Sequence, residues 1–349
     1  MKATINADEF KAKVAALSRV IGTMGMSSSI KVSADDRLRF FAFNDYCYVT
    51  TSVSAKVHNT GSMVVGGDYL SKYASKVSGK GVIEVSTDSK SLLMVHGSTK
   101  TNFSETLMSS VYPKEPQAPS FDEYSRAEFI NGLGSVTNMT TKDEVRPVLQ
   151  AICLNFQNDR LSMFATDGYR VGYNKLPPIA SISGKSFNLP GAVVPIIKTM
   201  QGTNIKLGML NDEFYLSDWD TSIYVKCIYG DYPNLAKIIP KGGSGEFEIV
   251  GSELIELLAL GGMFDDNSSV KISLDGDVLS LAGVGTEGKH ESSVVGKGTG
   301  SGQLYVNASY VTSVCSAIAK KEKIVIGFGD TLTVKYNNFV GIVMPMNVI

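Results

Sequence analysis

The feature that most constrains this chain is a threefold internal repeat, because a repeat dictates architecture where composition only permits it. Asn6-Ala7-Asp8-Glu9-Phe10, Ser125-Arg126-Ala127-Glu128-Phe129 and Gly251-Ser252-Glu253-Leu254 each open a stretch of helical hydrophobic periodicity. Their glutamates stand roughly 120 residues apart, the length of one small domain. Phe10, Val14, Leu17 and Ile21 share one helical face. Asn6 with Glu9, and Ser125 with Glu128, have the spacing of a capping box; the third copy lacks one.

A second helix is expected further along each unit, over Asp68–Val77, Pro190–Met200 and Ala308–Lys321. Leu70, Tyr73 and Val77 form one apolar stripe, and Val311, Val314 and Ile318 another. Pro190 suits a first turn, whereas Pro195 should bend or interrupt the middle copy. Short β-rich pairs follow each second helix, for example Val82-Ile83-Glu84-Val85 and Leu92-Leu93-Met94-Val95. The fold class is therefore α+β: three tandem similar domains, each with two helices packed on antiparallel sheets. Boundaries fall at 1–120, 121–243 and 244–349, near the polar stretch Pro116–Phe121 and the linker-like Lys241-Gly242-Gly243-Ser244-Gly245.

Composition narrows the function. With 349 residues, 43% hydrophobic and 19% charged, the chain can bury several cores. A net charge of −1 excludes a uniformly basic nucleic-acid binder, but not one with positive charge gathered on one surface. No secretory h-region opens the sequence and no run of eighteen apolar residues interrupts it, so a cytoplasmic location is expected. Cys47, Cys153, Cys227 and Cys315 are dispersed and read as reduced core residues.

Catalytic and cofactor patterns are lacking. His58, His96 and His290 lie in unrelated contexts without metal-ligand spacing, so no metal and no cofactor are expected. Gly283-Val284-Gly285-Thr286-Glu287-Gly288-Lys289-His290 imitates a phosphate loop. However, His290 stands where a hydroxyl is needed, and a strand rather than a helix follows. A β-hairpin is expected there, and a flexible loop over Gly296–Gly302. A nucleotide-dependent enzyme using that glycine run is the alternative of a different class. Asp167, in Thr-Asp-Gly, reads as a turn-former.

Three motifs then carry a resemblance. Val145-Arg146-Pro147-Val148-Leu149 precedes Phe164-Ala165-Thr166-Asp167-Gly168-Tyr169-Arg170-Val171; Gly230-Asp231-Tyr232-Pro233 leads to Ile238-Ile239-Pro240; and Val343-Met344-Pro345-Met346 lies near the end. In this order, on a triplicated chain, they resemble the bacterial beta sliding clamp, the processivity subunit of DNA polymerase III. The resemblance implies the DNA clamp fold and a head-to-tail homodimeric ring, helices inside and sheet outside. Such a ring encircles duplex DNA without reading its sequence, tethers the replicative polymerase, is handled by a clamp loader, and is not an enzyme. A clamp-like scaffold that binds peptides but no longer encircles DNA is the third reading.

Carried over by position, the partner-peptide groove would comprise Leu149, Thr166, Gly168, Tyr169, Arg170, Val171, Pro233, Lys237, Ile238, Val343, Met344, Pro345 and Met346. Flexible methionines suit a site with several partners. Tyr169 stands where the family usually has His, Lys237 where Arg is common, and Asn347-Val348-Ile349 replaces a shorter ending. The expected DNA-facing residues are Lys11, Lys13, Arg19, Lys72, Lys76, Lys80, Lys198, Lys320 and Lys321, although each could equally be part of an ordinary solvated face. Phe103, Met263 and Phe264 are expected at the subunit joint.

Overall fold

A computed structural model describes residues 1–22, 24–107, 109–157, 160–177, 182, 184–210, 213–240, 242–318 and 322–347. Two compact units emerge, residues 1–127 with 192–227, and residues 128–191 with 228–349.

The first unit opens with strand β1 (Lys2–Asn6) and helix α1 (Ala7–Ala16). Asn6 caps α1, its Oδ1 accepting the amides of Asp8 at 2.9 Å and Glu9 at 3.1 Å. The reciprocal arm of a capping box is diverted. Glu9 Oε1 instead accepts the amide of Ser54 at 2.8 Å, because that amide needs a partner. The strands β2 (Ser29–Ala34), β3 (Leu38–Phe43), β4 (Cys47–Val53), β5 (Ala55–Asn59) and β6 (Gly61–Gly66) lead to helix α2 (Gly67–Lys76). After it come β7 (Val82–Thr87), β8 (Ser91–His96) and β9 (Thr99–Ser104).

Five of these form a sheet in the order β5-β1-β7-β8-β9. The others join β10 (Phe121–Ser125), β15 (Asn204–Leu210), β16 (Glu213–Ser217) and β17 (Thr221–Lys226) in a second, ordered β10-β15-β16-β17-β4-β3-β2-β6. The seam is β17 against β4, with Thr221 opposite Thr51 and Val225 opposite Cys47. Phe10 and Val14 of α1, Leu70 and Ala74 of α2, and Phe40 are fully buried between helices and sheets. Phe10 meets Phe40 at a ring separation of 5.6 Å; such a side chain contributes about 1.5–3 kcal/mol by leaving water. The middle second helix shrinks to α4 (Val194–Ile197), with Pro195 inside it, preceded by a 3-10 turn over Gly191–Val193. The expected span of Pro190–Met200 is thus mostly lost.

The second unit carries helix α3 (Arg126–Thr137, from Glu128 onward), α5 (Gly251–Gly262) and α6 (Ala308–Ser316) against a twelve-stranded sheet. Its strands are β11 (Ala151–Gln157), β12 (Arg160–Thr166), β13 (Arg170–Leu176), β14 (Lys185–Pro190), β18 (Gly245–Val250), β19 (Ser269–Asp275), β20 (Val278–Gly285), β21 (Gly288–Val295), β22 (Lys297–Asn307), β23 (Lys323–Phe328), β24 (Leu332–Tyr336) and β25 (Phe339–Val343). They run in the order β14-β11-β12-β13-β25-β24-β23-β18-β22-β19-β20-β21. Strand β13 pairs with β25, Arg170 opposite Val343 and Asn174 opposite Phe339. Val311 and Val314 of α6 and Leu254 and Leu258 of α5 are fully buried, as their spacing requires.

The glycine-rich stretch that imitates a phosphate loop is the hairpin between β20 and β21, with Gly285 opposite Gly288. Its neighbour corrects an expectation. Gly296–Gly302 is not a flexible loop, since from Lys297 it is the first half of β22, which pairs with β18 and then crosses to β19. The crossing occurs at Gly300, where φ is +76° and a Cβ would lie 2.1 Å from the carbonyl oxygen of Ser244. Glycine is used here for close backbone approach inside a strand, a use that composition does not distinguish from slack.

Candidate functional site

The turn from β12 to β13 is built by two side chains. Asp167 Oδ1 accepts the amides of Tyr169 at 3.0 Å and Arg170 at 3.1 Å, while Thr166 Oγ1 accepts Gly168 N at 3.0 Å and donates to Arg170 O at 2.7 Å. Gly168 takes the left-handed φ of +98° that this turn requires. Asp167 is thus the turn-former its context suggests, and it also holds Arg170 Nε at 2.9 Å through Oδ2. Tyr169 is displayed on the rigid turn, 58% exposed.

The Gly230–Pro240 segment is pinned to the same end of the sheet. Asn188 Nδ2 donates to the carbonyls of Ile228 at 3.1 Å and Gly230 at 2.7 Å. The Tyr232 hydroxyl accepts Thr166 N at 3.1 Å and donates to Ala151 O at 3.3 Å, and burial pushes its phenol pKa up. Leu235 enters a buried cluster with Cys153, Phe164, Val171, Tyr173 and Ile342, against which Tyr232 and Ile239 pack. Pro233, Lys237 and Ile238 stay exposed on this segment. Val148, in the 3-10 turn that carries the buried Leu149, stands close enough to Gly230 that a Cβ there would lie 2.8 Å from its Cγ2.

The third strand end completes the assembly. Val343 is fully buried opposite Arg170, after which Met344 N donates to Tyr169 O at 2.9 Å and Met346 N to Tyr305 O at 2.7 Å. Met344 and Pro345 are exposed and Met346 is half-buried. Three motifs distant in sequence therefore converge on the ends of β12, β13 and β25.

Sequence reasoning missed part of this wall. Tyr310 of α6 stacks on Tyr169, with ring centroids 5.8 Å apart and planes 20° from parallel, and the Arg170 guanidinium lies 5.0 Å from its ring centroid. The available signal was an aromatic residue beside, but not on, the Val311–Val314 core stripe. Tyr305, whose carbonyl receives the Met346 amide, had no comparable signal.

The structure also places the other expected site residues. In the first unit, the 3-10 turn ending in exposed Arg19 packs against α4, beyond which lies exposed Lys198. Lys76 and Lys80 are exposed, Lys72 pairs with Asp68 at 2.6 Å, and Lys11 Nζ donates to Val77 O at 3.2 Å. Lys13 requires a correction, because it is only 8% exposed, with Nζ 3.4 Å from Asp220, and its charge is already engaged. Lys320 and Lys321 lie outside the described residues.

Phe103 lies in β9, at one end of its sheet, with its side chain buried edge-on against Tyr73. Phe264 lies against Gly285 and Gly288 of the hairpin, whereas Met263, capping α5, is 65% exposed. Among the described residues, no group of His, Cys, Asp and Glu is gathered as a metal site, and no helix is long and apolar enough to cross a membrane.

Comparison with solved structures places the fold. DNA polymerase III beta subunit from Thermotoga maritima matches at a TM-score of 0.90 with 19% identity, and the DNA polymerase sliding clamp from Bacillus subtilis at 0.90 with 16%, each over 100% of both chains. This is the fold of the bacterial sliding clamp. The sequence agrees with that fold. The chain is 22% identical over 299 residues to the beta sliding clamp of Synechococcus elongatus, covering 81% of this chain and 80% of that one. It is 23% identical over 284 residues to the beta sliding clamp of Staphylococcus aureus, covering 78% and 75%. No family model matches. The clamp fold accounts for the threefold alternation of first and second helices.

Proposed function

We propose that this chain is a DNA sliding clamp, two copies of which close head to tail around duplex DNA and tether the replicative polymerase for processive synthesis. In this reading it works in the cytoplasm, is placed on DNA by a clamp loader, and performs no chemistry. The observation that carries the reading is the convergence of Tyr169, Arg170 and Tyr310 with Met344 at the joined ends of β13 and β25. An exposed aromatic and methionine wall on rigid backbone suits a short, partly apolar peptide. The peptide groove comprises Leu149, Thr166, Gly168–Val171, Pro233, Lys237, Ile238 and Val343–Met346, to which Tyr310 is added.

Duplex DNA would be met by Arg19, Lys198, Lys76, Lys80, Lys72 and Lys11 through screened contacts to phosphate that carry no base information. Lys13 is left out because its side chain is buried as well as ion-paired, whereas Lys72 keeps its pair with Asp68 at the exposed surface. The subunits would join along β9 of one copy and β21 of the other, with Met263 and Phe264 beside the second edge. The three-domain division at 120 and 243 accompanies this reading, with each of the two compact units containing part of the middle domain.

The test is polymerase run length on primed DNA. A circular template with a cognate clamp loader should give long products that depend on this chain, and the chain should dissociate once the template is linearised. Equal retention on circular and linear DNA would overturn encirclement. Saturable binding of a polymerase-derived peptide without any gain in run length would leave only a peptide-binding scaffold.

A further inference from the structure

The chain has a single tryptophan, Trp219, and it is 86% exposed. Burying an indole is worth a good deal, so one displayed on a well-held turn calls for an explanation. The turn joins β16 to β17 and both neighbouring aspartates hold it. Asp218 accepts the amides of Asp220 at 2.9 Å and Thr221 at 2.7 Å through Oδ1, and that of Gln201 at 2.7 Å through Oδ2. Asp220 pairs with Arg37 at 2.7 Å, and its carbonyl accepts Ser52 N at 2.7 Å. Gly202, at a φ of +90°, stands near the pyrrole part of the indole, where a Cβ would lie 3.5 Å from Cδ1.

A shallow pocket opens beside the ring, lined by Glu123, Asn204, Lys206 and Asp218 among others, all within the first unit. Glu123 is exposed, with Asn204 Nδ2 3.5 Å from its Oε2. The lining cation, Lys206, is drawn aside over the Phe121 ring, 4.3 Å from its centroid. An exposed aromatic face with carboxylates beside it attracts a cation that is also flat enough to stack. A nucleobase could stack on the same indole, but its phosphates would face Glu123 and Asp218, which disfavours nucleic acid.

We propose that Trp219 and Glu123 form a receptor for an arginine side chain carried by a partner peptide segment, separate from the groove at β13 and β25 and independent of the clamp reading. The guanidinium stacks on the indole and pairs with the Glu123 carboxylate. Because Trp219 is the only tryptophan, its fluorescence reports occupancy directly.

The test titrates the full chain with a short blocked glycine-arginine peptide and with the same peptide carrying citrulline, which keeps the planar shape but loses the charge. The arginine peptide should quench Trp219 saturably and the citrulline peptide should not. Glu123→Gln should weaken binding by about threefold, the scale of an exposed ion pair. Lys206→Gln should strengthen it, since a competing cation is removed. Equal quenching by citrulline, an unchanged Glu123→Gln, or tighter quenching by a short oligothymidylate would each overturn the proposal.

Discussion

Tyr310 stacks on Tyr169 where Asp167 and Thr166 fix the turn that carries it, and Arg170 lies over the Tyr310 ring while bonded to Asp167. Each side chain in the set has its rotamer held by a neighbour, which lowers the entropy lost when a ligand docks. Tyr310→Ala removes the ring while leaving the α6 cap intact, as Asn307 Oδ1 bonds the residue 310 amide. For a polymerase-derived peptide, anisotropy should show about tenfold weaker binding, the effect of losing about 1.4 kcal/mol at one aromatic contact. An unchanged affinity would remove Tyr310 from the site.

At the scale of elements, the glycine at the corner of β22 is more consequential than its composition suggests. Gly300→Ala forces a Cβ toward the Ser244 carbonyl at a positive φ, and should cost roughly 1–3 kcal/mol, measured as a lowered urea midpoint. Wild-type stability in that variant would mean that the strand does not cross there. The same strand marks a limit of legibility. Helices α1, α2 and α6 were legible because Phe10 with Val14, Leu70 with Tyr73 and Val311 with Val314 stand at helical spacing with little competing signal. Strand β22 was not, because Gly298, Gly300 and Gly302 are chosen by the backbones and rings packed against them, and those come from distant parts of the chain. Helix α4 was half legible, since Pro195 announced an interruption but not how short the remainder would be. The groove motifs were legible as strings. Their convergence depends on β13 pairing with β25, a contact between residues far apart in sequence.

For the whole molecule, buried acids make stability depend on alkaline pH. Burial pushes the thiols of Cys47 and Cys315 up from an ordinary 9.0 to about 12. The unfolded chain therefore releases these protons near pH 9 while the folded chain retains them. Stability should be full below pH 9 and fall from there toward pH 12. Thermal melts across that range should show a steady decline, and Cys47→Ala with Cys315→Ala should make it shallower, the remainder coming from other buried acids such as Cys153, Tyr112 and Tyr224, whose protons burial also holds. A decline of the same slope in the double variant would assign it elsewhere, to buried tyrosines such as Tyr232, whose phenol is also raised.

The rung between Arg170 and Val343, extended by the amide of Met344 on Tyr169, is where the terminal strand is sewn to its neighbour. A guest seated beside Tyr169 and Met344 would bridge both sides of that stitch, acting as a splint across it. Occupancy would then be felt as stiffness, so that the occupied chain would be harder to fray at β25 than the empty one.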